Sequence, residues 1–383
     1  MKRYVLLDYI RAVAAILVCI GHLRAALFVD YSQLASTHLS TQVLYLLTSL
    51  GHQAVMVFFV LSGYLVGGAV LTSTANFSWL RYGIARLSRL WIVLLPCLLL
   101  TWMIDGLILY WAPEVLSGYA AQHWHSGPKL AEFDQSLLTA LGNVFFLQTI
   151  AVPVFGSNGP LWSLANEFWY YICFPLLLVG TGVLKEYSWR SRVFALLALL
   201  CLSVAFPVSI VQGFVVWLMG AGVALVVRSG VSFGYSSWQR WFSVSLWIVG
   251  VVVSWICEKR QIPILGDWLL GACFSVFLIV HLSRIKQHQP TADQRGVIAQ
   301  YLVPLSDMSF SLYLSHFPLV LAFGAIFSMH DRMQPTWLAW GTLLACLCVL
   351  IALGRLIWWT FERHTDTLRR RANTLLNPVS ASA

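Results

Sequence analysis

Residues 5–28 read VLLDYIRAVAAILVCIGHLRAALF. The run is apolar and long enough to cross a hydrocarbon core of about 30 Å. Its exceptions are Asp8, Arg11, His22 and Arg24. At ~100° per residue, the eleven steps from Arg11 to His22 come back to within roughly 20° of the starting direction, about 16 Å further along the axis. Asp8, three residues before Arg11, falls within about 60° of the same stripe. Ionisable groups are costly against lipid, so a stripe of them points inward and is a functional hypothesis by default. The plainer alternative is that Asp8 pairs with Arg11 at the interface and His22 only hydrogen-bonds a neighbouring helix.

The rest of the chain is built from the same material. Of its 383 residues 59% are hydrophobic and 10% are charged, against about 25% charged in soluble domains; mean hydropathy is +0.76. The expected fold is all-α, a polytopic transmembrane bundle. Apolar segments place about ten spans, near 5–29, 43–71, 90–111, 161–184, 193–211, 213–227, 241–257, 264–282, 302–328 and 337–360. The short segment at 213–227 also suits a re-entrant hairpin. The run 141–155, broken by Gly142 and Pro153, suits an interfacial position. With both termini inside, 17 of the 24 Lys and Arg fall on inner segments and five on outer ones. That bias predicts an N-in, C-in topology.

The net charge of +9 is therefore mostly topology, spread over loops rather than gathered as a nucleic-acid surface. The first span, with Asp8 and Arg11 in it, does not resemble a cleavable signal peptide. The eight cysteines fall in or at the edge of spans without a C-x-x-C pair, which predicts buried thiols rather than a disulfide or metal framework. His123 and His125 have no third ligand nearby and no metal is expected. One membrane domain, 1–365, is expected, followed by a short basic and polar tail, 366–383, without order.

Four further strings carry possible chemistry. Arg81, Arg86 and Arg89 end the second inner loop, and Arg86 and Arg89 form an i, i+3 pair suited to phosphates. The alternative is lipid headgroup contact. In FFVLSGYL at 58–65, Ser62-Gly63 permits close helix packing or a local break. No nucleophile elbow surrounds Ser62. In GPLWSLANEFWYY at 159–171, Gly-Pro opens a helix whose Ser163, Glu167 and Tyr170 or Tyr171 share a face. Glu167 suits a base or an orienting group, or an ion pair with Arg11 or Arg24. In SFSLYLSHFP at 309–318, Ser309, Tyr313 and His316 make an i, i+4, i+7 polar stripe beside the helix-kinking Pro318. His316 suits a cavity or a structural helix contact equally.

Taken in order, the five strings resemble the acyltransferase-3 family of integral membrane O-acyltransferases, over nearly the whole chain. The resemblance implies transfer of an acyl group, often acetyl, from cytosolic acyl-CoA to a hydroxyl of an extracytoplasmic or lipid-linked glycan, in the bacterial inner membrane. It implies His22 as the catalytic histidine, Arg11 as an essential arginine, and Arg86 and Arg89 as the pair contacting acyl-CoA. It matches Glu167 to the acidic residue of the W-S-L-x-x-E string. The chain departs from the pattern where its last span ends Phe361-Glu362-Arg363-His364 without a nearby proline. A stand-alone member without a C-terminal hydrolase-like domain is expected.

On this reading the donor's phosphates dock on Arg86, Arg89 and Arg11, and its thioester reaches His22 along the α-helical stripe. His22 then deprotonates the acceptor or carries the acyl group itself. Glu167 orients His22 or polarises the acceptor. Asp8, Ser62, Ser163, Tyr313 and His316 line the cavity, and Tyr119 and Trp124 of the outer segment help to hold the sugar. The rival from another class is an ion-coupled transporter using Arg11, Glu167, His22 and His316 as a relay, although no inverted repeat is evident.

Overall fold

The stretch that opens the chain folds as one unbroken helix, Val5–Leu27. A computed structural model describes residues 4–119, 133–230, 236–287, 299–328 and 331–376. Among these residues the structure is helical, with only isolated bridge pairs between extended residues. In chain order the helices are α1 Val5–Leu27, α2 Leu39–Leu47, α3 Gly51–Ser62, α4 Gly68–Thr72, α5 Trp79–Trp111, α6 Leu137–Val144, α7 Leu161–Gly180 and α8 Trp189–Ala205. They continue as α9 Val208–Ser229, α10 Ser237–Lys259, α11 Pro263–Gln287, α12 Ala299–Asp307, α13 Ser309–Ser328, α14 Trp337–Thr360 and α15 Thr365–Leu376.

Among the described residues eight helical stretches are long and apolar enough to cross a membrane, beginning at Val5, Leu39, Trp79, Val208, Ser237, Pro263, Ser309 and Trp337. This is a multi-pass membrane protein. The other two stretches read as spans are α7, which carries Asn166 and Glu167, and α8, which is 17 residues long.

Several boundaries differ from the sequence reading. Arg81, Arg86 and Arg89 lie not in a loop but in the first turns of α5, a 33-residue helix whose start is capped by Ser78 accepting from the Arg81 N–H. The segment 213–227 is the core of a continuous 22-residue helix, so no re-entrant hairpin is needed. The stretch 302–328 is two helices, α12 and α13, separated at Met308. The tail after Thr365, expected to lack order, forms α15 as far as Leu376, with an Asp366–Arg369 ion pair at i, i+3.

The chain divides into two compact units. The first comprises Met1–Ala14, His52–Phe77 and Asn166–Val303. Within it, α3 runs into a turn of π-helix, Gly63–Gly67, before α4 resumes. Opposite lies α9, and glycines on both sides let the backbones touch. A Cβ on Gly63 would sit 1.9 Å from the Trp217 carbonyl oxygen, and one on Gly220 would sit 1.9 Å from that of Val60. Small residues at close helix crossings are the usual device in membranes.

The second unit comprises Ala15–Gly51, Ser78–Ala165 and Pro304–Ala383. There α13 packs on α5 and α14, and α15 lies along α5. The end of α1 is tied to the segment before α14: Met333 N–H donates to the Leu27 carbonyl at 2.8 Å, and Arg332 pairs with Asp30 at 2.8 Å.

Candidate functional site

The second unit holds His22 and its surroundings. His22 sits five residues before the end of α1, half-buried, and its Nδ1 lies 2.8 Å from Nε2 of His316 on α13. His316 is 0% exposed, and its Nδ1 lies 2.7 Å from the carbonyl oxygen of Tyr313. Phe317 meets the His22 ring edge-on, with centroids 5.0 Å apart and planes at 83°. No other described residue hydrogen-bonds the His22 ring.

The local geometry of α13 follows from Pro318. Proline has no N–H, so the carbonyl four residues earlier loses its helical donor. That carbonyl belongs to Leu314, and Asn158 supplies the missing hydrogen bond through Nδ2 at 2.9 Å. Asn158 also donates to the Thr101 hydroxyl on α5 at 3.1 Å. Next to it, the Gly159-Pro160 elbow opens α7. The hydroxyls of Ser163 and Tyr313 share a 2.7 Å hydrogen bond, and both reach the Pro160 carbonyl. The predicted Ser163, Tyr313 and His316 are thus brought together around one elbow.

The elbow's own anchor is Asp105, fully buried on α5. It accepts from the Ser157 N–H at 2.8 Å, the Ser157 hydroxyl and Gln135 Nε2. Further out, Asp134 accepts from the Thr139 hydroxyl and the Ser136 N–H, which hold its carboxyl below the usual aspartate range.

At the start of α5, Arg89 is held from two sides. Its guanidinium lies 3.8 Å from Glu362 and 5.5 Å from the Phe310 ring centroid. Glu362 is 5% exposed and accepts from both the N–H and the hydroxyl of Ser311, at 3.2 and 2.6 Å. Arg86, one turn away, lies over the Tyr82 ring.

The first unit holds a separate cluster. Ser62, the last residue before the π-helical turn, donates to Glu167 Oε1 at 2.6 Å. The Tyr171 hydroxyl donates to the same oxygen, and the Trp217 indole N–H donates to Ser62 Oγ at 3.1 Å. Glu167 Oε2 bonds no described residue. The carboxylate is therefore a poised acceptor with one oxygen fixed and one available. Asp8 and Arg11 belong to this unit as well, on the first turns of α1, Asp8 buried and Arg11 half-buried. Also here, at the start of α3, His52 Nε2 lies 2.7 Å from Asp267, and Gln53 donates to Glu258 at 2.9 Å.

Sequence reasoning named His22, His316, Glu167, Ser62, Ser163 and Tyr313 as candidates but not their hydrogen-bond partners Trp217 and Asn158, nor the His52–Asp267 pair. Trp217 and Asn158 are ordinary residues whose roles come from contacts across 155 and 156 positions of chain. Among the described residues no group of three or more His, Cys, Asp and Glu is placed to hold a metal ion. His123, His125 and Trp124 lie outside the described residues, as does the side chain of Tyr119.

Comparison with known proteins agrees with this architecture. The model of a family described as an acyltransferase domain matches residues 4–359. Acyltransferase MdmB of Streptomyces mycarofaciens is 26% identical over 380 residues, covering 91% of this chain and 90% of that protein. An O-acetyl transferase of Shigella phage Sf6 is 26% identical over 208 residues, covering 53% of each chain. No solved structure matches the chain significantly. The chain belongs to the acyltransferase domain family. It is a membrane acyltransferase, which sets aside the transporter alternative.

Proposed function

We propose that the protein is an O-acyltransferase of the bacterial inner membrane. It moves an acetyl group from cytosolic acetyl-CoA to a hydroxyl of an extracytoplasmic or lipid-linked glycan. The O-acetyl transferase name of the phage relative favours acetyl and a hydroxyl acceptor. Ten spans with both termini inside put the arginine-rich start of α5 on the donor side, following the charge bias of the loops.

The observation that carries the reading is the half-buried His22 whose ring is held by a buried His316. A histidine fixed in this way inside an acyltransferase suits general-base work, a role worth about 10²–10⁴ in rate. The acceptor O–H gives its proton to His22. The oxygen bonds to the thioester carbonyl carbon as the C–S bond breaks. The leaving thiolate takes the proton back from His22, so CoA departs as the thiol and no net proton is consumed. Arg86 and Arg89, with Arg11, bind the donor's phosphates through forked N–H groups. Glu167, steadied by Ser62 and Tyr171, offers its free oxygen to an acceptor hydroxyl. Ser163 and Tyr313 line the cavity, and Asp8 steadies Arg11. Residues 1–365 make up the catalytic membrane domain.

Mass spectrometry of surface glycans from a deletion strain tests this. Complementation with wild type restores an acetyl mass increment, and complementation with His22→Ala does not. Retained acetylation with His22→Ala, at matched membrane abundance, overturns the assignment.

A further inference from the structure

Two imidazoles in hydrogen-bond contact raise the question of which one carries the proton, and the geometry settles it from the far end. A carbonyl oxygen only accepts, so His316 Nδ1, 2.7 Å from the Tyr313 carbonyl, carries a hydrogen. A neutral imidazole has one N–H, so His316 Nε2 is an acceptor. The hydrogen in the 2.8 Å contact therefore sits on His22 Nδ1. His22 in turn keeps its lone pair on Nε2. The opposite arrangement needs a second proton on His316, a fully buried ring, and no described carboxylate hydrogen-bonds either imidazole.

The contact is also well aligned. The two ring planes lie 9° apart, with centroids separated by 5.1 Å. An imidazole nitrogen lies about 1.2 Å from its ring centre, so a 2.8 Å N···N contact reaches such a separation only when centroids and nitrogens fall nearly on one line. The rings are therefore coplanar and joined edge to edge, the geometry of a linear N–H···N hydrogen bond. Nε2 of His22 then points away from His316 and bonds no described residue.

We propose that His316 is a positioning residue. Together with the Tyr313 carbonyl it forms a two-ring relay that fixes His22 as the Nδ1–H tautomer and aims the Nε2 lone pair at the acceptor hydroxyl. This does for His22 what a buried aspartate does in a Ser-His-Asp triad, with a neutral ring in place of a carboxylate. As His22 takes the acceptor's proton at Nε2, its Nδ1–H stays donated to His316 Nε2, and the new charge is delocalised toward a fixed acceptor. Asn158 holds the part of α13 that carries the relay, by occupying the Leu314 carbonyl that Pro318 leaves open. The relay rests on His22 being the base, and two arms of the experiment keep the claims apart.

The first arm is kinetic. Membranes carrying wild type, His22→Ala, His316→Phe or His316→Gln receive radiolabelled acetyl-CoA, and label entering endogenous glycan is measured per monodisperse acyltransferase. Phenylalanine keeps the ring's packing but accepts no hydrogen bond. Glutamine can place a carbonyl oxygen near the former Nε2. His316→Phe is expected to lower kcat about 100-fold with KM for acetyl-CoA within about threefold, and His316→Gln to recover at least about tenfold of the loss. His316→Phe within about threefold of wild type overturns the relay, as does His316→Gln no faster than His316→Phe. An active His22→Ala instead overturns the base.

The second arm needs no turnover. ¹⁵N spectra of histidine-labelled protein, with His22 assigned by loss of its signals in His22→Ala, report the tautomer directly. The expected wild-type signature is a protonated Nδ1 and a bare Nε2, the minor form for a free ring, reverting to Nε2–H in His316→Phe. An Nε2–H tautomer in wild type overturns the proposal.

Discussion

Replacing Gly220 by alanine puts one methyl where the structure has no room. The new Cβ would lie 1.9 Å from the Val60 carbonyl oxygen and 2.8 Å from the Tyr64 nitrogen. Ordinary contact begins at 3.4 Å, so α9 must retreat from the α3–π junction by roughly 1.5 Å along that line, into a close-packed interior. Backbone atoms, unlike side-chain tips, do not swing aside. Overpacking of this kind costs about 2–3 kcal/mol. Alanine also gains about 1 kcal/mol of helix propensity over glycine, which masks part of the loss. Gly222, two residues along the same helix, has nothing within 4 Å of its would-be Cβ. Gly222→Ala therefore receives the propensity gain without the clash, and the difference between the two variants isolates the steric cost. At about 2–4 °C per kcal/mol for larger domains, Gly220→Ala in detergent should melt roughly 5–10 °C below Gly222→Ala. The retreat also carries Trp217 away from Ser62, lengthening a 3.1 Å hydrogen bond beyond bonding range, so acyl transfer should fall as well. Equal melting of the two variants refutes the close-approach argument, whatever happens to activity.

Three other outcomes follow from the geometry. Glu362→Gln removes a carboxylate that competes with the donor's phosphates for Arg89; discounted for solvent, that pair is worth about 1 kcal/mol, so KM for acetyl-CoA should fall by up to about fivefold with kcat nearly unchanged, as steady-state kinetics would show. Asp105→Ala strands two donors of Ser157 and one of Gln135, and should lower stability by about 2–4 kcal/mol, with the loss visible as faster hydrogen exchange at residues 155–158. Asp134 binds fewer protons folded than unfolded, so its contribution to the 134–144 segment is complete above the ordinary aspartate value of 3.8 and fades as pH falls below it; hydrogen exchange should show Asp134→Asn differing from wild type at neutral pH and converging with it at the acid end.

The sequence carried the faces of the helices but not their partners. Hydropathy located α1, and the period of 3.6 put Arg11 and His22 on one stripe of it, Arg86 beside Arg89, and Tyr313 beside His316. Periodicity is a local signal, however. His22 and His316 are 294 residues apart, Ser163 and Tyr313 150, and Ser62 and Glu167 105. Each pairing depends on which helices become neighbours, which no single-helix pattern specifies. The misplaced boundaries have local causes that hydropathy overlooks. The start of α5 is polar yet capped by Ser78, and α15 is polar yet stabilised by an i, i+3 ion pair. At 302–328 the break that separates α12 from α13 falls in a short polar stretch, Ser306-Asp307-Met308-Ser309, which hydropathy averaged over the whole apolar run passes over.

Pro318 explains why His316 could be read equally well as structural or functional. A proline inside a helix costs a hydrogen bond and about 3 kcal/mol or more unless the freed carbonyl finds another donor. Here the donor is Asn158, whose position depends in turn on Thr101 and on the Asp105–Ser157 anchor. A helix kink that only needed relief could have used water or a nearby hydroxyl. A buried side chain from a segment 156 residues away ties the Gly159-Pro160 elbow to the turn of α13 that bears His316. The same tie brings Ser163 onto Tyr313, whose backbone carbonyl accepts a hydrogen bond from His316 Nδ1–H. Helical irregularity and imidazole geometry are thus one construction, in which the proline makes the opening and the elbow fills it. The ring that faces His22 cannot shift without undoing both.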